Sequence, residues 1–326
     1  MMTAKVAIRF VRQTRGAILV LAAVSMLAVM GMAALAIDAG YLFTARNQLQ
    51  AGVDASALAG AAGLMTSQNL AIQQAMDFAG RNRCINQPVA VGAGDISFPN
   101  SSRIRVTSSR QLPLFFASAL GIPRVTISAT ATAELGSIIG TDHLRPFAVP
   151  DLNYRVGEYA LLKAGSLDAP GTNPGFFYPV DFPPVNRGTP EVGGAAYSEN
   201  IESGCDGIVE IGDIIQVEPG NMVGPTKHGV EALLRWDSGA YWDNNTNSVQ
   251  GSSYPGFSSP RICIVPFYDE RYPPDPGRNT VTVTGLGVFF IEGMQGKALY
   301  GRFIEMLTHG IWGNGNTYLY GVHLVE

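Results

Sequence analysis

Residues Gly16 to Ile37 read GAILVLAAVSMLAVMGMAALAI, without one charged side chain. Lys5, Arg9, Arg12 and Arg15 stand before this run with no acid among them; Asp38 follows it, and the next cation is Arg46. At about 1.5 Å per residue, a helix of this length spans a hydrocarbon core of roughly 30 Å. The positive-inside rule holds the cationic flank in the cytoplasm and sends everything after Ile37 across the membrane.

A cleaved signal peptide is the competing reading, and Ala34-Leu35-Ala36 fits the small-residue cleavage pattern. Apolar regions of signal peptides are shorter, about 7–15 residues. Residues 38–66 contain no proline and are rich in helix formers, so the helix is expected to leave the bilayer unbroken and offer a peptidase no extended segment. A pilin-type cut after Gly16 would place Leu21 at the fifth mature position, where type IV pilins carry Glu. A retained anchor is the expectation.

The 326 residues allow an anchor and two modest domains, and the net charge of −4 gives no reason to expect a nucleic-acid partner. Cys84, Cys205 and Cys263 form no C-x-x-C, which argues against zinc. In an oxidising compartment Cys205 and Cys263, which fall in one domain, are the pair expected to join, with Cys84 left over. The alternative is three buried free thiols.

Along the chain, residues 17–66 read as one helix. Gly52, Ser56 and Gly60 recur every fourth residue, beside a row of Ala51, Ala55 and Ala59. Residues at this spacing share a helix face, and small side chains let another backbone come close. Gly52, Ser56 and Gly60 are therefore the candidate helix-packing interface, toward this chain or another subunit. A second helix is predicted over 68–81, capped by Ser67. Arg103–Thr107 and Arg124–Ala133 alternate as strands, with a short helix between them ending at Gly121.

Beyond about Gly140 the chain turns strand-rich. Runs at 158–163, 207–211, 213–218, 261–267 and 280–291 read as strands, and 280–326 as an antiparallel three-stranded meander. A helix is predicted over Thr226–Asp237 with Thr226 as its cap; 168–206 and 238–260 read as long loops. The fold class is α+β, in four parts: a basic segment (1–16), a transmembrane helix (17–37), a long helix with a small α+β unit (38–136), and a mostly antiparallel β domain (137–326).

Three stretches together resemble the TadE/TadG-like proteins of the Flp, or tight-adherence, pilus assembly system. The first is the anchor followed by Asp38-Ala39-Gly40-Tyr41 and the helix from Ala45 to Ala59; the second runs from Leu112 to Ala133. The third comprises Tyr197–Ile201, Gly212-Asp213, Glu218–Thr226 and Ser259-Pro260-Arg261. The resemblance implies a single-pass protein of the bacterial inner membrane, with a cytoplasmic N-terminus and a periplasmic C-terminal domain. Its implied partners are other pilus-assembly proteins and, through the anchor, membrane lipid; a homo-oligomer fits as well. Larger TadG proteins often carry a von Willebrand factor A domain with an Asp-x-Ser-x-Ser metal site. That pattern does not occur here, so no metal-dependent adhesion site is implied.

A periplasmic enzyme with its site in 140–326 and a surface adhesion protein are the alternatives. No G-x-S-x-G, H-E-x-x-H or P-loop pattern is found. Gly293–Lys297 lacks the Ser/Thr that a P-loop needs. Asp243–Asn247 has alternating oxygen ligands but lacks the glycine and final acid of a calcium loop. His143, His228, His309 and His323 are dispersed. The expectation is a protein that is not an enzyme and holds no cofactor, metal or catalytic residue, with a structural or docking role.

Overall fold

The N-terminal helix α1 (Ala4–Gly63) runs unbroken for 60 residues, roughly 90 Å. The computed structural model describes residues 4–164, 176–220, 222–274 and 279–325. The side chains of Lys5, Arg9, Arg12 and Arg15, residue Asn221, and part of the expected loop 168–206 lie outside the described residues. Two units form: residues 1–134 with 323–326, and residues 135–322.

In the first unit, helix α2 (Gln68–Arg81) folds back on α1. Its cap is the expected Ser67, whose Oγ accepts the Leu70 N–H at 3.1 Å. Ala71, Ala75 and Ala79, every fourth residue, are fully buried. Leu70 is half-buried and Phe78 is 40% exposed, so the buried stripe is made of alanine alone. Strands β1 (Ile96–Asn100), β2 (Arg103–Pro113) and β3 (Arg124–Thr141) form an antiparallel sheet, with β2 paired to β3 from Arg103↔Glu134 to Pro113↔Arg124. Ile104, Val106, Ser108 and Leu112 point inward at period two.

The second unit is built on β4 (Phe147–Pro150), β5 (Tyr159–Ala164), β6 (Phe176–Asp181), β7 (Ile214–Val217), β8 (Ile262–Tyr268), β9 (Thr280–Thr282), β10 (Gly285–Gln295) and β11 (Ala298–Ile304). Their order is β9-β7-β6-β4-β8-β10-β11-β5, and β5 pairs again with β6. Six strands therefore close into a ring. The β4–β8 and β5–β6 pairings are parallel; the others along the path are antiparallel. All of β8 is buried, as its unbroken apolar run requires. One core cluster holds Phe147, Phe267, Phe289 and Phe303 with Tyr197, Ile201, Val230 and Leu233 from two helices. The other holds Tyr178, Val180, Ile264, Val288 and Phe290.

Three expectations are corrected. Residues 280–326 do not form a three-stranded meander: β5 takes the free edge of β11, and Leu319–Leu324 pairs in parallel with Met306–Leu307. The supposed loop 168–206 contains helix α3 (Gly194–Ser203), which contributes Tyr197 and Ile201 to the core. Helix α4 covers Val223–Trp236, so Thr226 sits inside the first turn instead of capping it. Its hydroxyl lies 3.2 Å from the buried Tyr197 hydroxyl.

Candidate functional site

The structure places Gly52, Ser56 and Gly60 on one buried face of α1, toward its own unit. Ser56 is fully buried and its hydroxyl donates to the Ala75 carbonyl at 2.7 Å. A methyl group at Gly60 would come within 2.5 Å of Ile104 Cδ1 and 3.2 Å of Ala75 Cβ; one at Gly52 would meet Val89 at 2.7 Å. Ala45, Leu49, Val53, Ala57 and Ala61 form a second, fully buried row beside them. Ala51 is exposed, and Ala55 and Ala59 are half-buried, so that row points away from the seam. Small residues at these positions bring α2 and β2 within backbone distance of α1, and dispersion then acts across the whole seam. Cys84 closes its upper part: the thiol is fully buried and donates to the Ala45 carbonyl at 3.3 Å.

At the membrane end of this helix, Asp38 holds a turn of the same unit. Its carboxylate accepts the N–H groups of Phe115, Phe116 and Ala117 at 2.9, 3.0 and 2.7 Å. Burial works against the charge, but these three donors outweigh it and hold Asp38 below the ordinary carboxylate range. The sequence signal was an acid one position beyond the apolar run. Its partners, nearly eighty residues away, had no signal.

The apolar part of α1 has a window of mean hydropathy 2.5, none of it buried. By length and composition this helix can cross a membrane.

The second unit contains a buried acidic pair that motif reading missed. Asp181 ends β6 and is 1% exposed, and neither of its oxygens has a hydrogen-bond partner among the described residues. Glu218, also buried, follows β7 and accepts the Gly193 N–H at 3.1 Å. Burial, and then the neighbouring Glu218 carboxyl, push Asp181 up to about 8. A protonated Asp181 can donate to Glu218, which satisfies both groups. Tyr197 and Thr226 close the cluster from α3 and α4. Both carboxyls are buried, Asp181 at 1% and Glu218 at 4% exposed.

A native carboxyl raised this far keeps a proton that the unfolded chain loses above about pH 4. The second unit is therefore expected to lose stability as pH rises from about 4 to about 8. Urea unfolding followed by the fluorescence of Trp236, Trp242 and Trp312, all within residues 135–322, reads this directly. Asp181→Asn, which stays neutral, should flatten the slope and gain about 1–3 kcal/mol at the alkaline end. An unchanged slope in this variant would assign the pH dependence to other groups.

The expected Cys205–Cys263 bridge does not form. All three cysteines are free and buried. Cys205 belongs to one core cluster and Cys263 to the other, and their thiols face different carbonyls, Gly207 for the first and Pro260 and Arg261 for the second. Burial pushes the Cys205 thiol up to about 11, and it raises Cys263 as well.

Other sequence candidates resolve into local structure. Asp243 closes its own turn by accepting from Asn245 N–H and Thr246 Oγ1, both at 2.9 Å. Gly293–Lys297 spans the β10–β11 hairpin, with Gln295 opposite Ala298. Phe177 and Tyr178 are buried strand residues, and Trp242 is a buried residue of the short strand Tyr241–Asp243. His143 faces Asp142, and His228 faces Ser198 and Glu202. Among the described residues, no three His, Cys, Asp or Glu side chains are grouped to hold a metal ion.

No curated protein matches the chain, and no solved structure does. A family model described as putative Flp pilus-assembly TadE/G-like matches residues 16–63. That segment contains the apolar span, Asp38, and Gly52, Ser56 and Gly60. Over that helix, and over that part of the chain alone, the protein is similar to the TadE/TadG-like proteins of Flp pilus assembly.

Proposed function

We propose that this protein is a single-pass component of the bacterial inner membrane, with a cytoplasmic N-terminus and both folded units in the periplasm. It serves Flp/Tad pilus assembly or secretion as a structural or docking subunit, not as an enzyme. The observation that carries the reading is the family match on a helix whose apolar half is wholly exposed and whose distal half is welded to a folded unit. Such a helix holds a domain at a set height above the bilayer. Its partners are other pilus-assembly proteins, and a second copy of the chain is compatible with the same role. The cations before Gly16 support the orientation.

Protease added to spheroplasts is expected to digest residues beyond about 40 while the anchor resists carbonate extraction. A strain lacking the chain should lose assembled pili, and photo-cross-linkers on the second unit should capture pilus-assembly proteins. Recovery of a soluble protein beginning at Ile37 would mean that Ala36 is cut and the anchor reading is wrong. Normal piliation of the deletion strain would remove the assembly role.

A further inference from the structure

The turn that Asp38 holds, residues 114–123, reads LFFASALGIP and has no charged side chain. Within it Phe115, Phe116, Leu120 and Ile122 are 59%, 46%, 80% and 52% exposed. Single exposed apolar residues need no explanation, but four in eight consecutive positions form a patch. The backbone of the turn is closed on itself. Leu114 N–H donates to Pro123 O, Ala119 to Phe116, Gly121 to Ser118 and Ile122 to Ala117, at 3.0–3.1 Å. The N–H groups of Phe115, Phe116 and Ala117 are taken by Asp38. Seven backbone donors paired in this way suit the turn to a medium poor in water, where an unpaired amide is costly.

Position decides what covers the patch. Asp38 stands one residue beyond the apolar run, and Tyr41, three residues further along, meets Phe115 edge-on at 5.2 Å between ring centres. Phe43 is 68% exposed on the same stretch of helix. Arg46, about 12 Å further along α1, and Arg124, the first residue of β3, are both exposed and neighbour the apolar stretch. Aromatic and aliphatic side chains at the end of a membrane span, with guanidinium groups beyond them, match the layers of a bilayer surface: acyl chains, then interface, then phosphates.

We propose that residues 115–122 are a second membrane contact, which inserts into the lipid leaflet on the side where α1 emerges and fixes the first unit against the bilayer. The inference rests on the membrane-spanning reading of α1. Asp38 links the two contacts, since its carboxylate ties the turn to the helix at the height of the interface. A helix anchor alone lets a domain tilt and swivel about its axis; a second contact at the side of the helix removes that freedom.

The test uses the full chain in vesicles of phosphatidylethanolamine and phosphatidylglycerol. Nitroxide labels are placed singly at Leu120→Cys and Ile122→Cys, while the three native thiols stay buried. Controls are Val29→Cys in the apolar run and Ser101→Cys in the β1–β2 turn. That turn is at the far end of the 11-residue β2, roughly 35 Å from the patch. Relaxation by oxygen, which concentrates in lipid, is compared with relaxation by a water-soluble nickel chelate. The oxygen-to-nickel ratio at Leu120 and Ile122 is expected to exceed that at Ser101 severalfold and to approach that at Val29. A ratio equal to that at Ser101 overturns the proposal, because the patch is then in water. Labels shielded from both reagents overturn it too, because a second copy of the chain then covers the patch. A nickel-accessible Val29 would instead show that the anchor itself is not in the bilayer, and both readings fall together.

Discussion

Arg261→Met should cost the second unit about 3–5 kcal/mol, a large part of the 5–15 kcal/mol that typically holds a domain. Arg261 is 4% exposed, and its guanidinium spends its donors on main-chain carbonyls. Nε donates to Ile291 O at 2.9 Å, Nη1 to Asp237 O at 2.9 Å and Ala240 O at 2.7 Å, and Nη2 to Glu292 O at 3.1 Å. Its carbon centre also sits 4.9 Å from the centre of the Phe290 ring. Burial pushes the guanidinium down from its ordinary value, against the attraction of Asp237 and Glu292. The Asp237 carboxylate is held in turn by Ser252 Oγ and Ser259 Oγ, both at 2.6 Å, and by Ser253 N–H at 3.0 Å. Methionine fills the stem but leaves four carbonyls without their donor. Arg261→Lys should recover little, since one ammonium cannot reach carbonyls on both sides. Urea unfolding followed by tryptophan fluorescence measures the loss; a change under about 1 kcal/mol would mean that water replaces the guanidinium.

Ser56→Leu is expected to loosen the first unit by about 2–4 kcal/mol, from overpacking of about 1–3 and a lost hydrogen bond of about 1. Leucine is a good helix former, so the effect is on packing and not on propensity. Ser56→Ala removes only the bond to Ala75 and should cost about 1 kcal/mol. Cys84 reports the opening, because its thiol is sealed against Ala45 on the same helix. At about tenfold per 1.4 kcal/mol, Ser56→Leu should speed its alkylation roughly 100-fold if opening limits the reaction. Equal rates in the wild type and Ser56→Leu would show that α1 and α2 part without exposing Cys84. A cross-link from Ala59→Cys to a second chain, lost in Ser56→Leu with Cys84 still protected, would mean that the strip serves another subunit.

The elements that the sequence announced are those with a local cause. The long helix, the Ser67 cap, the end at Gly121 and the alternating strands at 103–107 and 124–133 follow from spacing, capping and turn chemistry within a few residues, although the first of these strands runs on to Pro113. The same holds for the small-residue strip, whose every-fourth spacing is a property of the helix alone. Helix α3 was missed because its apolar face is thin, with Tyr197 and Ile201 as its buried residues inside a glycine-rich stretch. The meander at 280–326 failed for a different reason. Alternation at period two says that a segment is a strand, but carries no information on which edge it joins. Leu319–Leu324 alternates as expected and still pairs in parallel with Met306–Leu307.

Candidate chemistry divides the same way. Tyr197, Asp213, Glu218, Ser259 and Arg261 stood in the family-like stretches with no role attached. In the structure they anchor buried polar networks: Tyr197 on Thr226, Asp213 on Asn186 and Arg187, Glu218 on Asp181 and Gly193, and Ser259 and Arg261 around Asp237. A single buried charge in a strand or loop leaves no periodic trace, and its partners come from segments far apart in the chain. The Cys205–Cys263 pairing failed on the same ground: sharing a domain does not bring two thiols into one core cluster.

By itself the sequence determined the anchor, the helix that carries it outward and the small-residue face of that helix, because length, hydropathy and a 3.6-residue repeat act along one element. Only the tertiary structure decided that this face packs on the chain's own α2 and β2, that Asp38 grips residues 115–117, and that Asp181 and Glu218 share a buried position. Each of these joins residues about twenty to eighty positions apart. Their free energy comes from excluding water between elements, and no single element's sequence contains that.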